Sequence, residues 1–150
     1  MGGVLCCVDD SEGSRAALGV GQGLAERLGL ELVLLHVAPP TEAPGVSAAA
    51  AGQQRLHEEE RRDADEFLDR LARDAGLAPG VRRRVEIGAA ADCIVSACRD
   101  ENADLVVLGS RGRRGLKSAL LGSVSAAVAA RAPCPCVVVS PDAGGRLSLG

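Results

Sequence analysis

The stretch "ADLVVLGSRGRRGLKSALLGSVS", residues 103–125, decides how the rest of the chain is read. It opens on a short apolar run, the pattern of a strand buried on both faces, and leads into an alanine-rich segment where Val124 and Val128 stand one helical turn apart. From Gly109 to Ser125 lie four glycines, four cations and four serines, a mixture that a plain core does not require. Gly109, Gly112 and Gly122 follow the spacing G-x2-G-x9-G-S, with Ser123 opening the helix. Glycines let the backbone approach a polyanion closely, and a helix N-terminus offers unpaired N–H donors with a partial positive charge. Ser123 and Ser125 can add hydroxyls, and Arg111, Arg113, Arg114 and Lys117 add positive charge alongside. Strand, glycine loop and helix in this order point to an α/β domain that holds phosphate at a strand's carboxyl end.

Outward from this stretch the alternation repeats. Residues 4–8 ("VLCCV") read as a buried strand, followed by the turn "DDSEGS" and a helix with Ala17, Leu24 and Leu28 at helical spacing, stopped by Gly29. Residues 30–37 ("LELVLLHV") are a second buried strand. Residues 38–52, rich in Pro, Ala and Gly, are too long for an ordinary connection and are expected to form a mobile loop. Residues 53–75 predict a charged surface helix with Leu56, Phe67, Leu68 and Leu71 as its apolar face and Asp69 to Arg73 as an i,i+4 pair, ended by Gly76. Residues 81–87 ("VRRRVEI") alternate as a half-exposed strand, and their charges suit a sheet edge better than a phosphate or nucleic-acid patch. Residues 90–102 are helical, with Ile94, Val95 and Cys98 on one side, and "CVVVS", Cys136 to Ser140, is the last strand. Five strands alternating with four helices give, through right-handed crossovers, a parallel sheet covered by helices on both faces. One domain is expected over residues 1–142, with 143–150 a flexible tail too poor in apolar surface to fold.

Composition narrows the function. A chain of 150 residues, 47% of them hydrophobic, supports one sizeable core. A net charge of -3 argues against a surface built for nucleic acid or anionic lipid, so an anion site has to be local. Phe67 is the only aromatic residue, which removes the stacking platforms of single-strand nucleic-acid binders. With neither a signal-peptide pattern nor a long apolar run, a cytoplasmic location away from the membrane is expected. The six cysteines contain no C-x-x-C; Cys6 and Cys7, adjacent in a strand, point to opposite faces and cannot share a metal, so core packing is their expected role. His36, in a buried strand, and His57, on a charged helix, have no second His or Cys beside them in sequence and are assigned no chemistry.

Two phosphate motifs fail. "GLKS" places Leu116 between Gly115 and Lys117, so the loop is not a P-loop, and "GVGQG", residues 19–23, lies inside the first helix, where glycines serve close packing on the sheet. The segments "VDDSEGSRAAL", "LLHV", "ADLVVLGSRGRRGLKSALLGSVS" and "APCPCVVV" together resemble the universal stress protein family, in its ATP-binding branch. The resemblance implies a Rossmann-like, adenine nucleotide alpha hydrolase-like three-layer sandwich with strand order 3-2-1-4-5. It implies ATP with Mg2+ as the ligand, with Gly109, Gly112, Gly122, Ser123 and Ser125 on phosphates and ribose, Asp9 at the acidic position and the Val37 backbone on adenine. Cys7, Val8, Ser110, Arg111 and Val124 flank these positions as further contacts. Asp9 has its own rationale, because a carboxylate at a strand end accepts bonds from ribose hydroxyls or helps place a magnesium ion, though no protein-built metal site is expected.

Three functions fit. One is a nucleotide-dependent regulatory module; another is slow ATP hydrolysis or autophosphorylation, for which Asp9, Asp10 and Ser110 are at hand but no defined base is. The third is a nucleotide-free dimeric scaffold. A homodimer is expected in any case, since the strand Cys136 to Ser140 carries no charge to protect its edge, and the resemblance implies the same pairing.

Overall fold

A computed structural model of the chain describes residues 2–40, 50–110 and 121–141, with side chains from residue 57 onward in the second segment. The order is β1 (Val4–Cys7), α1 (Glu12–Leu28), β2 (Leu32–Ala38), α2 (Ala50–Asp74), β3 (Arg82–Ile87), α3 (Ala90–Asp100), β4 (Leu105–Gly109), α4 (Ser123–Arg131) and β5 (Cys136–Val139). All strand pairs are parallel, and the sheet runs β3-β2-β1-β4-β5. This is the expected single-domain α/β architecture.

The two faces of the sheet carry separate cores because side chains alternate along each strand. Val4, Cys6, Leu34 and Val107 pack with Ala17 and Leu18 of α1 and Leu68 and Ala72 of α2. Leu5, Cys7, Leu35 and Val106 pack with Ile94, Ala97 and Cys98 of α3 and Val128 of α4. Cys6 and Cys7 thus face opposite sides, as their adjacency requires. All six cysteines are free thiols, three of them buried. Burial pushes the Cys6 thiol up to about 12, raises Cys7 well above the ordinary range, and lifts Cys98, beside Cys134, to about 12.

Local sequence explains the ends of α1. Ser11 is the N-cap, accepting from the Ser14 N–H, and Gly29 closes the helix at φ 65°, a left-handed conformation that glycine adopts without a Cβ penalty. Within α1, a Cβ on Gly21 would come 3.1 Å from Cys6 Sγ and 3.3 Å from Cys6 Cβ, so at this position the "GVGQG" glycines do set the helix–sheet spacing. Gly21→Val is therefore expected to destabilise the protein by about 1–3 kcal/mol through overpacking, measured by urea unfolding. A cost below about 0.5 kcal/mol would mean that α1 can lift off β1 freely.

Some boundaries move. Helix α2 begins at Ala50, three residues before the expected start, which shortens the connection after β2; residues 41–49 of that connection lie outside the described residues. The tail beyond residue 141 lies outside them too. Leu28, placed on the inner stripe of α1 by its spacing, is 54% exposed. The charged β3 is an edge strand as read: Arg82 and Arg84 bond Glu101 at 2.9 and 3.3 Å, and Arg84 also holds Asp100 at 2.7 Å and Glu86 at 2.9 Å. On its other side Arg83 meets Asp69 of α2 at 3.0 Å, and Asp69 pairs with Arg73 at 2.8 Å. Among the described residues no helix is long and apolar enough to cross a membrane.

Candidate functional site

The connections determine where the sheet opens. After β1 the chain enters α1 on one face, whereas after β4 it leads to α4 on the other. The carboxyl ends of these adjacent strands mark the point where strand order reverses, the place at which open α/β sheets take their ligands. Asp9 lies just beyond β1, Val37 is the penultimate residue of β2, Gly109 is at the end of β4, and Gly122 with Ser123 is at the head of α4. The fold thus brings these sequence-predicted residues to one edge of the sheet. Arg111 and Gly112 lie outside the described residues.

The described ends of the glycine motif are joined through backbone hydrogen bonds. Ser110 N–H donates to Val139 O at 2.8 Å, tying the loop's start to β5, and Ser110 O accepts from Gly122 N–H at 2.7 Å. Ser125, 2% exposed, donates its hydroxyl to Ser110 O and Gly122 O, both at 3.0 Å. Its hydroxyl proton is directed inward, to hold the two ends of the loop together. The N-cap of α4 is Gly122 rather than Ser123, so the cap position supplies no side-chain hydrogen bond among the described residues. The first-turn N–H groups of Ser123, Val124 and Ser125 point out of the N-terminal end, as they do in every α-helix. Ser123 and Val124 are exposed there.

Asp9 is held by a small polar network. Its Oδ1 accepts from Ser11 N–H at 2.8 Å and from the Ser14 hydroxyl at 2.8 Å, while its own N–H donates to Ser14 Oγ at 2.6 Å. Among the described residues both bonds to the carboxylate fall on Oδ1, so Asp9 can offer Oδ2 to a ligand without releasing α1. Ser11, not Asp9, is the cap of that helix. Ser14 is buried and was not singled out in the sequence; its signal was a serine one turn into a helix that begins directly after the strand-end aspartate.

His36, which the sequence assigns no chemistry, makes two contacts here. Its Nδ1 lies 2.8 Å from Val8 O, and its ring packs tilted against Phe67 of α2, centroids 5.0 Å apart. Cys7 is buried under α3 and α4 and Val8 under α1, so both lie in the core beneath the carboxyl end of β1.

An open parallel sheet whose strand order reverses between β1 and β4, with helices on both faces, defines a Rossmann-like α/β protein. Residues 1–140 match the universal stress protein family, and the chain belongs to that family. It is 30% identical over 139 residues to a universal stress protein of Thermus aquaticus, covering 91% of this chain and 96% of that one. The fold is shared with the universal stress protein UspA of Lactobacillus plantarum, at 23% identity and a TM-score of 0.76, over 92% of this chain and 97% of that one. A universal stress protein solved in complex with cAMP is 25% identical, with a TM-score of 0.61, over 92% of this chain and 96% of that one.

Proposed function

We propose that the chain binds an adenine nucleotide, ATP carried with Mg2+, at the carboxyl ends of the strands and works as a nucleotide-dependent regulatory module. The observation that supports this most is the N-terminus of α4, where Gly122 stands at the cap without a side chain and is joined to the end of β4 through Ser110 and Ser125. Three phosphates suit a helix end that offers N–H donors in this way. In this reading Asp9 Oδ2 accepts from ribose hydroxyls and the backbone of Val37 meets the base. The relative solved with cAMP lends support, since a cyclic adenine nucleotide presents the same base, ribose and phosphate chemistry. In this reading magnesium rides on the phosphates.

The test is thermal unfolding with and without MgATP. The chain has no tryptophan or tyrosine, so the transition is followed by circular dichroism or calorimetry. At about a hundred times the Kd a ligand adds roughly 2.7 kcal/mol, a rise of about 5 to 10 °C in a domain of this size. Gly122→Val, whose branched side chain blocks close approach of phosphate, is expected to melt normally without ligand and to lose the rise. No rise in the parent at millimolar MgATP would reduce the glycine motif to loop architecture and favour the interaction scaffold.

The same reading includes a homodimer through β5. The sheet's two edges differ: β3 is lined by arginines in ion pairs, whereas "CVVV" offers an uncharged strand with Val137 and Val138 only partly buried. Pairing with a second copy would cover that edge. Val138→Lys is expected to turn a dimer into a folded monomer in light scattering; an unchanged mass with native circular dichroism would remove β5 from the interface.

A further inference from the structure

The β1–β2 ladder ends in an unusual way. Parallel pairing runs from Val4–Leu32 to Cys7–Leu35, opening with Val4 N–H to Glu31 O at 2.8 Å and closing with Val8 N–H to Leu35 O at 2.9 Å. In a parallel ladder alternate residues turn both backbone groups to the same neighbour, so Leu35 faces β1, and Val37, two residues on, does the same. His36 and Ala38 face β3; Ala38 O duly accepts from Gly88 N–H at 3.0 Å. The next rung would join Val37 N–H to Val8 O. Instead, Val8 O is engaged by the His36 side chain at 2.8 Å. A carbonyl only accepts, so Nδ1 carries the proton. The Phe67 ring against the imidazole helps fix its orientation.

We propose that His36 is a positioning residue for the nucleobase: its Nδ1–H takes the place of the next backbone rung at Val8 O, leaving the Val37 N–H and C=O turned toward the β1 side as a donor–acceptor pair for the edge of an adenine ring. This rests on the nucleotide reading above and adds a reason why base pairing with backbone is possible at that strand end. Adenine's amino group would donate to Val37 O and its neighbouring ring nitrogen would accept from Val37 N–H. A guanine edge presents the reverse order and is not matched.

The experiment compares binding of MgATP and of inorganic tripolyphosphate by calorimetry in the parent, His36→Leu and His36→Asn. Asparagine's amide can place a donor near the position of Nδ1, whereas leucine cannot. Loss of one buried hydrogen bond with its partner left unpaired is expected to weaken MgATP about tenfold in His36→Leu, to leave tripolyphosphate unchanged, and to be largely restored in His36→Asn. Equal weakening of both ligands, or of neither, would overturn the assignment. Should the parent bind neither ligand, the nucleotide reading itself fails, and that result is seen before any variant is made. If His36→Leu does not fold, the 15N spectrum of the parent's imidazole decides: a protonated Nδ1 is expected, and an Nε2–H tautomer would overturn the proposal.

Discussion

Between pH 9 and pH 12 the folded state is expected to lose several kcal/mol of stability through its buried thiols. Cys6 is fully buried and titrates at about 12 against an ordinary 9.0, because its thiolate cannot be solvated inside the sheet. Below pH 9 both folded and unfolded chains hold the proton, and the contribution is fully present. Above it the unfolded chain releases the proton while the folded chain keeps it, so stability falls by about 1.4 kcal/mol per pH unit per thiol until the folded value near 12 is reached. Cys6 alone accounts for about 3–4 kcal/mol over that window, and Cys98, 1% exposed and raised to about 12, adds an effect of the same order. The chain is well suited to the measurement, since it has no tyrosine and Lys117 is its single lysine. Urea unfolding by circular dichroism at pH 8, 10 and 11.5 should show the decline, and Cys6→Ala should make it shallower. A flat profile would mean that these thiols ionise in the native state, and the core role of the cysteines would fall.

That role was legible because adjacency in a strand fixes opposite faces whatever the fold. The same kind of local rule gave the parallel sheet, the edge character of β3 and the glycine stop of α1. Strand order did not come from periodicity; it came from the resemblance of the glycine–serine motif to a family whose order is known. The residues missed have a different cause. Ser14 and His36 act through partners five and 28 positions away, Asp9 and Val8, and the second pairing exists only once β1 and β2 lie in register. A lone histidine in an apolar strand carries no sign of whether its nitrogen will meet a carbonyl. Capping chemistry alone would also allow Ser123 and Asp9 as helix caps, yet Gly122, one position earlier, and Ser11, two positions later, hold those places.

Leu68→Ala is expected to cost about 2–5 kcal/mol, a large share of the roughly 5–15 kcal/mol that holds a domain of this kind together. Leu68 is 0% exposed at the centre of the α2 stripe, in the core formed with Leu34, Leu71 and Ala72, and truncation leaves a cavity that the surrounding strand side chains cannot close. The matching change in α1, Leu28→Ala, should fall within about 0.5 kcal/mol, because Leu28 is 54% exposed and alanine is the better helix former. Both leucines sit at helical spacing in their segments, and spacing alone ranks them together. What separates them is position: Leu28 is the last helical residue before Gly29 turns the chain away, whereas Leu68 lies six residues inside a 25-residue helix lying over β2 and β3. Urea unfolding of both variants measures the difference directly. A small cost for Leu68→Ala would mean that α2 is only loosely seated, and the Phe67 ring, one residue earlier on the same helix, would then lose its hold on His36 as well.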